Sequence, residues 1–283
     1  MTMQCPQCGS TNPEGARYCG NCGNLIQHGS ITTTGEVHPP QTGAPTATIP
    51  PRLLGDLLSE TVFLYRRHLW VFLPIALVPQ IPGLFGLTDP SVEQQVLLTA
   101  VFFVLAAIAQ GAVIHAVATI YTGVPPSIIA SARHAIRLGI PLIAGQLVLM
   151  LLLFASALLV VVLIGIPLIV IFLVVLAFYP QAIIIERITY YPAFRRSAGL
   201  VGGNWWRVFG IGACYVLVVV ILALIPLALV SIGSTVPANL ASGIVGALAM
   251  PWMMIGATLL YFDLRVRREG FDVDTLALEL GGA

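Results

Sequence analysis

Charge is what this sequence has least of. Only 9% of its 283 residues are charged, and lysine is absent, so that all thirteen basic residues are arginine. A soluble domain carries about 25% charged residues; this chain has too few to cover a water-facing surface of its size. Apolar residues reach 58% and the mean hydropathy is +0.94. Lipid must therefore solvate most of the chain. The net charge of +1 singles out no acidic or basic partner. Also missing are HExxH, GxSxG and GxxxxGK[ST], and the five histidines, scattered between His28 and His134, form no cluster able to hold a catalytic metal. No catalytic constellation emerges, so the sequence discloses no enzyme.

Three regions are legible. Residues 1–27 hold four of the five cysteines and read as a small metal-stabilised head, without the basic start and apolar core of a signal peptide. Residues 28–51 are rich in Thr, Pro and Gly and nearly devoid of large apolar side chains, which reads as a flexible linker. Residues 52–274 carry long apolar runs, and 275–283 read as a tail. Each run is near the ~20 residues that a helix needs to cross a ~30 Å hydrocarbon layer. Six are expected: 69–87, 94–121, 140–164, 167–185, 206–232 and 239–262. The third and fourth form a tight hairpin punctuated by Gly165-Ile166-Pro167. The runs are continuous rather than alternating, which favours helices over a barrel.

The arginines orient these spans. Arg52, Arg66 and Arg67 precede the first; Arg133 and Arg137 lie between the second and third; Arg187, Arg195, Arg196 and Arg207 lie between the fourth and fifth; Arg265, Arg267 and Arg268 follow the sixth. The opposite connections contain none. The positive-inside rule then puts the arginines and both termini in the cytoplasm of a cell whose cytoplasmic membrane holds the protein. Each odd-numbered span also follows a short arginine-bearing amphipathic stretch, at 52–67, 127–137 and 191–203. In the first, Leu53, Leu54, Leu57, Leu58, Thr61, Val62 and Tyr65 make one face. Such helices are expected to lie in the cytoplasmic interface, with Arg66, Arg67, Arg133, Arg137, Arg195 and Arg196 toward anionic headgroups. A unit of interfacial helix plus hairpin would then occur three times, either as a true internal repeat or because cytoplasmic loops of hairpin proteins share this character.

Cys5-Pro6-Gln7-Cys8-Gly9 and Cys19-Gly20-Asn21-Cys22-Gly23 are two CxxC-Gly knuckles. Zinc takes four thiolates tetrahedrally, and a CxxC turn brings two sulfurs to one metal. So small a module has too little core to fold alone, and bound metal would supply its stability. The competing assignments are redox disulfides, a rubredoxin-like iron site and a nucleic-acid finger. A reducing cytoplasm argues against the first. The head's only basic candidates, Arg17 and His28, form no stripe for nucleic acid. Structural Zn2+ on Cys5, Cys8, Cys19 and Cys22 is the reading adopted, with the ribbon available to a cytosolic protein partner. Cys214 reads as an ordinary membrane-core residue.

Polar groups inside spans are functional candidates by default. Here they are Gln80, Gln110, His115, Gln146, Gln181 and Glu186, with Asp263 closing the sixth span. For His115 the competing role is a hydrogen bond between helices. Glu186 and Asp263 sit beside Arg187 and Arg265, which suggests interfacial ion pairs. A cavity among Gln80, Gln110, His115 and Gln146 would make the protein a transporter or lipid-handling protein.

Two stretches carry a resemblance. One runs from Tyr179-Pro180-Gln181 through Glu186, Ala193-Phe194-Arg195-Arg196-Ser197 and Gly203-Asn204-Trp205-Trp206-Arg207; the other is Leu259-Leu260-Tyr261-Phe262-Asp263-Leu264-Arg265 to Asp272. Over residue 53 to about 274, the chain resembles the family called the glycerophosphoryl diester phosphodiesterase membrane domain. The resemblance implies a six-helix prokaryotic membrane module. It does not carry the activity in that name, which in the fusions belongs to a separate soluble barrel absent from this sequence. The head is similar to zinc ribbons fused to prokaryotic membrane proteins. The resulting expectation is an all-α polytopic membrane protein, six transmembrane helices as three hairpins with interfacial helices, plus a zinc ribbon. Its expected role is non-enzymatic: membrane organisation and protein interaction.

Overall fold

A computed structural model describes residues 2–4, 10–13, 52–85, 91–231 and 235–281. Strands β1 (Thr2–Gln4) and β2 (Thr11–Pro13) pair antiparallel, with Gln4 opposite Thr11. The rest of the described chain is helical. It is embedded in a membrane: five helical segments are long and apolar enough to cross one, and a sixth is reached only by joining two helices bent 83° apart.

The 83° bend falls at His68, where the sequence put the junction between the short helix 52–67 and the first span; the difference from expectation lies within that span. Helix α1 (Leu54–Arg67) ends at His68, and the chain turns into α2 (Leu69–Leu77), a 3-10 turn at Val78–Gln80 and α3 (Ile81–Phe85). Pro79 and Pro82 lack the N–H that would continue an unbroken α-helical ladder here, so the first expected span is a broken one. Helix α4 (Val92–Tyr121) returns; Ser91 and Gln94 cap its start reciprocally, the Gln94 side chain accepting from the Ser91 N–H at 3.0 Å.

The same sequence of parts recurs twice. Helix α5 (Ile128–Arg137) leads into α6 (Gly139–Leu158), then α7 (Gly165–Val175) and α8 (Tyr179–Glu186). Helix α9 (Tyr190–Val201) leads into α10 (Trp205–Ser231) and α11 (Thr235–Glu269). The hairpin between α6 and α7 turns at Leu163, whose φ of 60° is left-handed, just before the punctuation read from the sequence. Gly165 is required for close approach, because a Cβ there would lie 2.1 Å from the Ser156 carbonyl oxygen.

Span four is also broken, at Leu176–Phe178, and the break is repaired from outside. Ser197 on α9 is fully buried; its hydroxyl accepts from the Phe178 N–H at 3.0 Å and donates to the Val175 carbonyl at 2.7 Å. Backbone groups freed in a membrane must find such partners.

Packing is uneven along the bundle. The fully buried residues of α4 run from Ala107 to Ala118, those of α8 from Tyr179 to Ile185, and those of α11 include Ile255 to Val266. These are the arginine-bearing ends. Toward the other end α4 exposes Val92, Val96 and Leu97, and α10 exposes Ile221, Leu224 and Leu227, an apolar surface suited to lipid. The segment read as a tail is mostly α12 (Val273–Gly281), which folds back and buries Leu276.

Candidate functional site

The three short helices present arginine in two ways. Each buries a narrow seam of small or aliphatic residues: Leu57, Thr61 and Leu64 on α1; Ser131 and Ala135 on α5; Ala193, Ser197 and Leu200 on α9. That seam is narrower than the apolar face read for α1, since Leu53, Leu54 and Val62 are exposed. Arg66, Arg67, Arg133, Arg137 and Arg195 are exposed, and none has an acidic partner among the described residues. Arg67 lies over the Phe63 ring, 5.6 Å from its centroid.

Arg196, grouped with those five by sequence, is placed differently. It is partly buried; its Nε donates to both Glu186 oxygens at 2.8 and 3.0 Å, and its Nη1 and Nη2 donate to Glu269. Burial works against its positive charge, but the Glu269 and Glu186 hydrogen bonds outweigh it and hold the guanidinium firmly protonated. Tyr261 donates to the same Glu186. Arg265 forks onto Glu279 of α12 at 2.8 Å through both terminal nitrogens, and Arg187 donates to the Leu280 carbonyl at 2.7 Å.

A second knot surrounds Asp263, whose side chain is fully buried. It accepts from Arg207 at 2.9 Å, from Arg267 at 3.0 Å and from the Arg52 backbone N–H at 2.7 Å. The Arg52 carbonyl accepts from Arg207 and Arg267 in turn, while the Arg52 side chain donates to Tyr121, which donates to Glu60. Asp263 and Glu186 thus form ion pairs, but with partners other than their sequence neighbours. Asp263 and Arg265 are two apart on one helix and face apart, whereas Asp263 and Arg267 at i,i+4 meet.

The intramembrane polar residues do not converge on one cavity. A groove of about 700 Å³ at the far end is lined by Gln80 together with Gln95, Thr99 and Ser242. His115 is elsewhere, its Nδ1 3.2 Å from the Ser131 hydroxyl and its ring 4.2 Å from that of His134. His134 in turn hydrogen-bonds the Ile184 carbonyl through Nε2 at 2.9 Å, which puts the proton on Nε2. Burial, then Arg187 and Arg137, hold His134 below the usual imidazole range, against the opposing effect of that carbonyl. Sequence reasoning missed His134, because the exposed arginines on either side of it gave α5 the look of a surface helix. Gln181 is buried with both amide atoms unpartnered, as is the Gln146 side-chain oxygen. Cys214, partly buried in α10, is a free thiol.

Cys5, Cys8, Cys19 and Cys22 lie outside the described residues, as does the whole of the 28–51 linker. Among the described residues no group of three or more His, Cys, Asp or Glu is placed to hold a metal. The described strands β1 and β2 flank the first CxxC in sequence. Residues 2–25 match a family model described as a domain of unknown function (DUF7577). No curated protein matches the chain. No solved structure does either.

Proposed function

We propose that the protein is a non-enzymatic membrane module whose three short helices lie in the cytoplasmic interface of a prokaryotic cell membrane and hold anionic headgroups. Both termini are then cytoplasmic. The carrying observation is the sorting of the arginines. Arg66, Arg67, Arg133, Arg137 and Arg195 stand exposed on the short helices without acidic partners among the described residues, while the buried Arg265 and Arg267 are ion-paired inside the bundle. Near an anionic surface each unpaired arginine is worth about 1 kcal/mol, so five give a substantial preference. Exposed Trp70 and Trp206 at the starts of α2 and α10 suit the same depth. The likeness of 53–274 to the glycerophosphoryl diester phosphodiesterase membrane domain family supports a membrane module without supporting the activity in its name.

The test is reconstitution of the full chain into phosphatidylcholine vesicles with and without phosphatidylglycerol. Annular lipid measured by spin label should be enriched in phosphatidylglycerol for the native protein. The enrichment should vanish when Arg66, Arg67, Arg133, Arg137 and Arg195 are all glutamine, and persistence there would refute the reading.

At the head, four thiolates at this spacing suit structural zinc, which would order a ribbon able to present a protein-binding surface at the membrane. Elemental analysis should find about one zinc per chain, lost on Cys5→Ser; iron, or no metal, would overturn that assignment.

A further inference from the structure

A groove of about 1100 Å³ opens between the α9–α10 turn, the end of α11 and the start of β2, with Arg196, Arg207, Arg267, Arg268 and the carboxylate of Glu269 on its walls beside Ser10 and Thr11. Their charges do not balance. Arg196 is held by Glu186 and Glu269. Arg207 and Arg267 share the single carboxylate of Asp263. Arg268 is exposed and donates to the Gly199 carbonyl, with no acidic partner among the described residues. With Glu269 taken up by Arg196, three guanidiniums remain for the carboxylate of Asp263, and the one left without it is the exposed Arg268. An arriving anion would give Arg268 the charged partner that the bundle does not supply.

The chemistry of the walls selects the anion. Guanidinium forks match phosphate oxygens, and several arginines on one wall suit a phosphate better than a lone carboxylate. The floor is open where it must be: Gly203 has φ of +82°, and a Cβ there would lie 2.9 Å from Arg268 Nη2. Beside it Trp205 stacks on Phe209 with 7° between their planes, and Trp206 is 77% exposed. Aromatic residues of this kind sit at headgroup depth.

We propose that this groove is a discrete phosphate-ester site that takes the headgroup of one anionic phospholipid, with the exposed Arg268 and the partly exposed Arg207 as its ligands. The proposal rests on the interfacial placement argued above, but it concerns one saturable site rather than the diffuse attraction of the five exposed arginines.

Native mass spectrometry of the detergent-purified full chain, titrated with phosphatidylglycerol or phosphatidylcholine, tests it. One phosphatidylglycerol per chain should survive delipidation and raise the melting temperature, whereas phosphatidylcholine does neither. Arg268→Gln should weaken that binding about tenfold, the size expected for losing one charge-assisted contact, and Arg268→Lys should do so less. The variant lacking all five exposed arginines should keep this lipid while losing its vesicle preference, which separates the two proposals. Equal retention of both lipids, or unchanged phosphatidylglycerol binding by a folded Arg268→Gln protein, would overturn the site. Should Arg268→Gln fail to fold, the absence of phosphatidylglycerol stabilisation in the native protein would do the same. A competition arm distinguishes sources. Displacement by glycerol phosphate only at far higher concentration supports the lipid, and binding as tight as that of phosphatidylglycerol overturns it in favour of a soluble ester.

Discussion

At the scale of single residues, arginine in this molecule does two opposite jobs, and burial decides which. Arg267 and Asp263 are removed from both water and lipid, so neither charge is tolerable without the other. Asp263→Asn should leave Arg207 and Arg267 without their carboxylate and cost about 3–5 kcal/mol, read as a large fall in melting temperature in detergent. Arg133→Gln, on an exposed position, should change stability by no more than about 0.5 kcal/mol. Similar losses for the two would contradict the sorting. Residue types and positions of these arginines were legible in the sequence, but their partners were not. Glu186 finds Arg196 ten residues on rather than its neighbour Arg187, because α8 ends at Arg187 with a left-handed φ of 54° and the chain turns back. A reading along the chain has no access to that reversal.

At the scale of elements, the threefold recurrence of a short helix before two long ones was visible from arginine and apolar periodicity alone, and α1, α5 and α9 stand where it put them. What pattern could not show is how the elements are joined. The first and fourth spans are broken, and their breaks depend on Pro79 and on a serine from another helix. On α5 the half-buried His134 stands beside the seam of Ser131 and Ala135. His134 binds a proton less readily in the folded protein than an ordinary imidazole, so the unfolded chain takes up the proton first as pH falls. Its contribution to stability is present above about pH 6.5 and is lost as pH falls from there through the lower folded value. Thermal unfolding between pH 7.5 and pH 5 should show this loss, and His134→Gln should flatten the profile. His115, 4.2 Å away, and Arg137 and Arg187 belong to the same environment, so a steeper profile in the variant would count against His134 as its source.

For the whole molecule, composition alone required a lipid solvent, and the helices long enough to cross a membrane meet that requirement. The bundle is not packed equally throughout: the arginine end holds the buried ion pairs and the core of α4, α8 and α11, while the opposite end exposes apolar side chains and a groove. Such a body concentrates its charge at one end and leaves an almost wholly apolar surface at the other. Sequence pattern made this polarity legible because arginine is confined to alternate connections; the groove at Gly203 was not legible, because its walls come from helices more than fifty residues apart. The side of the membrane that the arginine end faces decides whether the short helices meet the cytoplasmic leaflet. Single cysteines at Arg133 and at Ser91, at opposite ends of the bundle, can be probed with a membrane-impermeant maleimide on intact cells. Labelling of Ser91→Cys alone, with Arg133→Cys reacting only after lysis, is the predicted result; labelling of Arg133→Cys from outside would contradict it.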